Sequence, residues 1–187
     1  MNLPNAISLV RICAVPFIIW LIINDRMTAA FWLVLVAAIS DAADGAIAKH
    51  FNQVTELGSY LDPIADKALL VCGYIALGHE GYLPTWLVIG VVFRDVLIIG
   101  GALSYHVMTQ ALIMEPIMIS KVNTAAQLVL AVEILASEGL GYDFGVFRDA
   151  MIIVVAVTTA ISGAVYIVVW SQKAMAVEDS RTEGEGE

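Results

Sequence analysis

Residues 41–66 of the chain are DAADGAIAKHFNQVTELGSYLDPIAD. In a helix, positions three, four and seven residues apart lie on one face. This spacing relates Asp41 to Asp44, Gly45 and Ala48. The first half of the stretch therefore predicts a helix with two carboxylates and a glycine on a single face.

The second half of the stretch repeats this arrangement in another helix. Gly58, Asp62 and Asp66 follow one another at intervals of four residues, which stacks them along one helix face. Pro63 is tolerated there if it falls in the first turn and otherwise kinks the helix. The short link between Lys49 and Glu56 is expected to fold the two faces against each other, so that four carboxylates meet in one cleft.

Four converging aspartates need cations to offset their charge. A charged residue near the middle of a membrane-spanning helix costs on the order of 2.5–3.5 kcal/mol. Ligand sets made only of oxygen suit Mg²⁺ or Mn²⁺ far better than zinc. Mg²⁺ usually also binds substrate phosphates, and two such ions can clamp a phosphoryl group during in-line displacement. The aspartates therefore indicate a divalent-metal site for a phosphate-bearing substrate.

The composition of the chain indicates a membrane protein. Of its 187 residues, 60% are hydrophobic and 14% are charged, and the mean hydropathy is +0.85. Soluble domains are about one-quarter charged, and a bilayer core takes about 20 apolar residues per helix. We expect an all-α, polytopic membrane protein with a bundle of six transmembrane helices, at about 7–23, 28–48, 57–78, 83–105, 117–136 and 147–171.

The distribution of basic residues predicts the orientation in the membrane. Six spans put both termini on one side, and the loops of that side carry four basic residues: Lys49, Lys121, Lys173 and Arg181. The opposite loops carry Arg26 and Arg148, each next to an acid. By the positive-inside rule, both termini and the active site face the cytoplasm, as in a bacterial-type inner membrane.

The net charge of −9 is concentrated in the four aspartates and in the last ten residues, which hold five acids and one arginine. We expect residues 1–175 to form the six-helix domain and the acidic segment 176–187 to be a disordered cytoplasmic tail. This charge argues against nucleic acid as a partner. From the residues alone, an enzyme and a transporter whose aspartates line a proton or cation path both remain open.

The order of residues 41–66 resembles the signature of the CDP-alcohol phosphotransferases, Asp-x2-Asp-Gly-x2-Ala-(basic)-x8-Gly-x3-Asp-x3-Asp. The departure is Lys49, where the family usually has Arg; lysine keeps the charge but loses the bidentate fork. The opening residues 2–11 and the run 120–127 are also similar to phosphatidylglycerophosphate synthases and to cardiolipin synthases that use CDP-diacylglycerol. The resemblance covers most of the chain and favours an enzyme over a transporter.

The resemblance implies roles for particular residues. Two divalent ions, Mg²⁺ or Mn²⁺, would be held by four ligands: Asp41, Asp44, Asp62 and Asp66. Asp66 would also be the catalytic base. The CDP group would be surrounded by seven residues: Asn5, Asp41, Gly45, Ala48, Lys49, Gly58 and Asp62.

The implied reaction needs no covalent enzyme intermediate. The base takes a proton from the hydroxyl of an acceptor alcohol, which attacks the β-phosphate of CDP-diacylglycerol, and CMP departs. Arg11, Arg94 and Lys121 are the candidate ligands for a phosphate of the acceptor, because cations inside a bundle usually face a partner or a cavity. The alternative for Arg94 is a pair with the adjacent Asp95.

The acceptor is predicted from charge. Phosphatidylglycerophosphate synthases often have Gly-Lys-x-Lys-Thr at the start of the fifth span, where this chain has Ser120-Lys121-Val122-Asn123-Thr124. Asn123 removes one cation, which favours the singly charged phosphatidylglycerol over glycerol 3-phosphate. We expect a cardiolipin synthase, with phosphatidylglycerophosphate synthase as the alternative and a cation-coupled carrier as a remote one. By analogy with the family, a homodimer surrounded by membrane lipids is expected.

Overall fold

The computed structural model describes the backbone of residues 3–51, 56–109, 118–142 and 145–184, and the side chains of residues 9–40, 67–101, 118–142 and 145–172. This part of the chain forms six helices and no strands. The helices are α1 (Leu3–Ile23), α2 (Met27–Phe51), α3 (Glu56–His79), α4 (Thr85–Thr109), α5 (Met118–Leu140) and α6 (Gly145–Gly184). The all-α prediction is therefore confirmed for the described residues.

The helices end where the sequence offers residues that leave the helical conformation easily. Asp25, between α1 and α2, has a φ of 55°, which is a conformation that Asp tolerates better than most residues. Gly81 and Gly141 follow α3 and α5 with φ values of 83° and 75°, where a residue with a Cβ would be strained. Pro84 precedes α4, at a position where its missing N–H has no helical partner to lose.

The core lies around α3, which packs against α1, α4 and α5; α2 packs against α1 and α5, and α6 packs against α4 and α5. Its members are large apolar side chains that are almost fully buried: Ile18, Ile22, Tyr74, Leu77, Leu87, Val91, Leu130 and Ile134. Tyr74 places its hydroxyl in this apolar core and donates to the backbone oxygen of Gln127, 3.0 Å away. This bond links α3 to α5 and satisfies a polar group that would otherwise be costly to bury.

Much of the outer surface formed by the described side chains is apolar. Large hydrophobic side chains point outward on several helices, including Trp20, Trp32, Trp86, Ile89, Phe93, Ile153 and Val157. Within the described residues, two helical segments are long and apolar enough to cross a membrane, Met118–Leu140 and Gly145–Gln172. Shorter apolar helical segments lie at Leu9–Ile23, Met27–Ser40 and Lys67–His79. These features fit a membrane protein, and six complete spans remain a prediction.

The last helix extends beyond its predicted membrane span. The apolar segment Gly145–Gln172 agrees with the span predicted at about 147–171, and α6 continues from it to Gly184. Lys173, Ala174, Met175 and Ala176 are all good helix formers, and they carry the helix beyond the apolar stretch. The domain boundary at residue 175 stays a prediction.

A close approach between α5 and α2 leads to a stability prediction. A Cβ on Gly139 would lie 2.7 Å from the backbone nitrogen of Thr28, and the Thr28 hydroxyl donates to the Gly139 oxygen at 2.6 Å. Since neither backbone can yield cheaply, we expect Gly139→Ala to lower the free energy of unfolding by about 1–3 kcal/mol. Thermal unfolding in detergent measures the change.

The matched control for this change is Gly73→Ala, because no atom lies within 4 Å of a Cβ placed on that helical glycine of α3. There the substitution should leave stability unchanged or raise it, since alanine favours the helix. If the Gly139→Ala variant were as stable as the unchanged protein, α2 and α5 could move apart to accept the methyl group with no loss in the free energy of unfolding.

Candidate active site

The backbone places the two halves of residues 41–66 in consecutive helices. Asp41 and Asp44 lie toward the end of α2, and Asp62 and Asp66 lie in the first half of α3. The helical part of the sequence prediction is therefore confirmed for both halves. Pro63 is the eighth residue of α3, so it falls beyond the first turn, where a kink is expected.

The side chains of the predicted metal and CDP ligands lie outside the residues whose side chains the structure describes. Gly45, Ala48 and Lys49 belong to α2, Gly58 belongs to α3, and Asn5 belongs to α1. The convergence of these residues on one site stays a prediction. Its donor set of four carboxylates is chemically suited to Mg²⁺ or Mn²⁺. Among the side chains that the structure describes, no cluster of three or more His, Cys, Asp or Glu residues could hold a metal.

A buried ion-pair cluster begins directly after the last of these aspartates. The ammonium of Lys67, on α3, donates to Oδ1 of Asp95 on α4 at 2.7 Å. The guanidinium of Arg94 donates to the same oxygen at 2.6 Å through Nη1. Arg94 and Asp95 are only 2% and 4% exposed. One carboxylate therefore pairs with two cations between α3 and α4.

Arg94 uses its remaining donors on two other helices. Its Nε and Nη2 atoms donate to the hydroxyl of Ser162 on α6, at 3.1 and 2.6 Å. Nη2 also donates to the hydroxyl of Ser120 on α5 at 2.7 Å. The guanidinium carbon lies 5.9 Å from the ring centroid of Tyr166, within the range of a cation–π contact. Arg94 thus joins α4 to α5 and α6, and the predicted alternative, a pair with Asp95, is what the structure shows.

The other two predicted acceptor ligands differ in burial. Arg11 is 4% exposed in α1. Lys121 is exposed on α5, directly after the Ser120 that binds Arg94. The start of α5 therefore lies against the cluster of Lys67, Arg94 and Asp95, which we call the Arg94 cluster. That Arg11, Arg94 and Lys121 bind a phosphate of the acceptor stays a prediction.

Asn123 lies one turn further along α5 and is fully buried. Its Oδ1 accepts hydrogen bonds from the hydroxyls of Thr158 and Thr159 on α6, at 2.8 and 3.0 Å. Neither these two threonines nor Ser162 was predicted from the sequence as a functional residue. They could have been found from their spacing, because Thr158, Thr159, Ser162 and Tyr166 recur at helical intervals within the apolar run of α6 and so mark a polar face.

A second group of charges lies at the other end of α5. Arg148, at the start of α6, donates to Glu133 at 3.4 Å and to Glu138 at 3.1 Å. Partial burial, followed by the nearby charges of Asp25, Glu138 and Glu80, raises the pKa of Tyr82 in the loop between α3 and α4. This end of the bundle is therefore acidic, and Arg148 offsets part of its charge.

The comparison with known proteins identifies the family. The sequence profile of the CDP-alcohol phosphatidyltransferases matches residues 1–170, a range that includes the two motif helices and the Arg94 cluster. The chain belongs to this family, which confirms the resemblance inferred from residues 41–66.

Individual relatives carry the names of two related enzymes. The cardiolipin synthase (CMP-forming) of Rattus norvegicus is 32% identical over 181 residues, which are 88% of this chain and 60% of that protein. The chloroplastic CDP-diacylglycerol–glycerol-3-phosphate 3-phosphatidyltransferase 1 of Oryza sativa subsp. japonica is 37% identical over 158 residues, 75% of this chain and 48% of that protein. The enzyme with that reaction name from Cereibacter sphaeroides is 30% identical over 158 residues, covering 80% and 70%.

The chain spans about half of the rice protein and about three-fifths of the rat protein. The rice protein is named for phosphatidyl transfer involving glycerol 3-phosphate, and the rat protein is named for cardiolipin synthesis that forms CMP. The comparison therefore supports the class of chemistry more strongly than the choice of acceptor.

Proposed function

We propose that the protein transfers a phosphatidyl group from CDP-diacylglycerol to the hydroxyl of phosphatidylglycerol, giving cardiolipin and CMP. The observation that carries this proposal is the complete aspartate signature in residues 41–66, divided between the consecutive helices α2 and α3. The match of the family profile over residues 1–170 supports the same class of reaction.

In this reaction, Asp41, Asp44, Asp62 and Asp66 would hold two divalent ions, Mg²⁺ or Mn²⁺. When bound, such ions neutralise charge that develops on the phosphate and on the leaving group. Asp66 would accept the proton of the acceptor hydroxyl as the new bond to phosphorus forms. Gly45 and Gly58 would leave room for the CDP group beside the backbone, and Lys49 would supply a positive charge close to it.

The choice of phosphatidylglycerol rests on the charge near the start of α5. Position 123 carries a neutral amide that is fully buried and held by two threonine hydroxyls. Arg94, which donates to Ser120 one turn before Asn123, is already paired with Asp95. A site with few uncommitted cations suits a phosphodiester of one charge better than a phosphomonoester of nearly two. The alternative acceptor is glycerol 3-phosphate, in line with the names of the rice and Cereibacter relatives.

We also propose six membrane spans with both termini and the active site on the cytoplasmic side. The two long apolar segments, the three shorter ones and the outward-facing hydrophobic side chains support residence in a membrane. The loop charges support the orientation. A homodimer is proposed by analogy with the family.

The acceptor is tested by supplying purified enzyme with CDP-diacylglycerol and one acceptor at a time, and resolving the lipid products. We expect cardiolipin and an equal amount of CMP with phosphatidylglycerol, and little product with glycerol 3-phosphate. A product formed only with glycerol 3-phosphate would overturn the acceptor and leave the chemistry intact. Failure to release CMP with either acceptor would contradict the transferase proposal itself.

A further inference from the structure

Asp95 pairs with a lysine that directly follows a predicted metal ligand in the chain. We propose that Asp95 is a positioning residue, which holds the ammonium of Lys67 on the α4 side and so keeps it from the metal-binding carboxylates. The inference rests on the proposed function, because it takes Asp66 and its partners as the metal ligands. It concerns a residue to which the proposed mechanism gives no role.

The physical problem is competition for carboxylate oxygens. Lysine carries a compact charge on a flexible four-carbon stem, so an uncommitted Lys67 can pair with any carboxylate within its reach. Lys67 adjoins Asp66 in sequence, and its side chain is 26% exposed. An ammonium among the metal ligands would occupy oxygen atoms and repel the incoming divalent ions. The protein therefore needs a second anion that binds Lys67 more firmly.

Asp95 meets this need because its own position is restrained. Its side chain is 6% exposed, and Oδ1 lies 2.7 Å from the Lys67 ammonium. Arg94 binds the same oxygen and is itself held by Ser162 and Ser120. The contacts run from α5 and α6 through Arg94 and Asp95 to Lys67. Burial strengthens the pair and prevents solvent from replacing Asp95.

A simpler role would be a tie between α3 and α4, with no bearing on metal. The two roles make opposite predictions for Lys67→Met. If the pair only joins the helices, Lys67→Met should break the same tie and should not relieve the effect of losing Asp95. If Asp95 acts by restraining Lys67, then losing Lys67 should not weaken metal binding, and it should relieve the effect of losing Asp95.

The experiment measures Mn²⁺ affinity by titrating the purified, substrate-free full chain in detergent, with the metal itself as the probe. We expect Asp95→Asn to weaken Mn²⁺ binding about tenfold, the size of effect that one uncompensated charge has at a partly screened site. Lys67→Met should bind at least as tightly as the unchanged protein. The double variant Lys67→Met with Asp95→Asn should return to within about threefold of it.

Each outcome has a definite meaning. Unchanged affinity in Asp95→Asn, a loss of more than threefold in Lys67→Met, or a double variant as weak as Asp95→Asn would each overturn the inference. If Asp95→Asn does not fold, a loss of affinity in Lys67→Met still overturns the inference, because the positioning role forbids a loss there. Absence of Mn²⁺ binding in the unchanged protein would instead contradict the metal-dependent function on which the inference rests.

Discussion

Replacing Asp41, Asp44 or Asp62 singly with Ala should lower the rate of phosphatidyl transfer by about a thousandfold or more. Each substitution removes a carboxylate that no neighbouring side chain in the signature can supply, because the adjacent residues of α2 and α3 are glycine, alanine or apolar at most positions. The loss should appear in the turnover number, since the metal ions stabilise charge that develops during the reaction. The measurement is CMP release from CDP-diacylglycerol with saturating acceptor.

The matched control is Asp149→Ala, which removes an exposed carboxylate at the start of α6, far from the signature in sequence. Its turnover should equal that of the unchanged enzyme. EDTA should abolish activity, and excess Mg²⁺ or Mn²⁺ should restore it. Substantial turnover of the unchanged enzyme in EDTA would contradict the assignment of a metal site. An active Asp41→Ala variant would show that Asp41 is not a metal ligand.

The helical architecture could be predicted because apolar runs and polar breaks are local properties of the sequence. The break at Asn24–Arg26 and the glycines after α3 and α5 coincide with the helix ends that the structure shows. The predicted sixth span, at about 147–171, agrees with the apolar segment Gly145–Gln172, whereas α6 continues beyond it to Gly184. Hydrophobicity marks the part of a helix that packs or meets lipid, whereas helix propensity decides how far the helix continues.

The helical placement of the aspartate signature could also be predicted, because both of its halves lie within one short stretch of chain, whereas the convergence of the four carboxylates stays a prediction. The surroundings of Arg94 could not, since Ser162 is 68 residues away in sequence and Ser120 is 26 away. The pair with the adjacent Asp95 was foreseeable, but the second cation on the same oxygen, Lys67, depends on how α3 packs on α4. Such long-range contacts follow from helix packing, which periodicity alone does not specify.

Of the single substitutions for which we predict an effect on stability, Arg94→Met should destabilise the bundle most. The substitution keeps much of the side-chain volume but removes the guanidinium that links α4 to α5 and α6. Breaking a buried, hydrogen-bonded ion pair typically costs 3–5 kcal/mol. Because Lys67 remains to pair with Asp95, we expect a loss of about 3 kcal/mol in the free energy of unfolding. The measurement is unfolding of the purified protein in mixed micelles as the fraction of denaturing detergent is raised.

Two further variants separate the causes of this loss. Arg94→Lys keeps the charge for Asp95 but cannot also span to Ser162 and Ser120, because lysine lacks the planar fork; it should therefore be intermediate in stability. Arg26→Met makes the same substitution at an exposed arginine between α1 and α2 and should change stability little. If Arg94→Met were as stable as Arg26→Met, the guanidinium bonds would be no better than the packing of an apolar side chain. In that case the reason for a buried cation at this position would have to be sought in substrate binding, as the sequence predicted, rather than in the bundle.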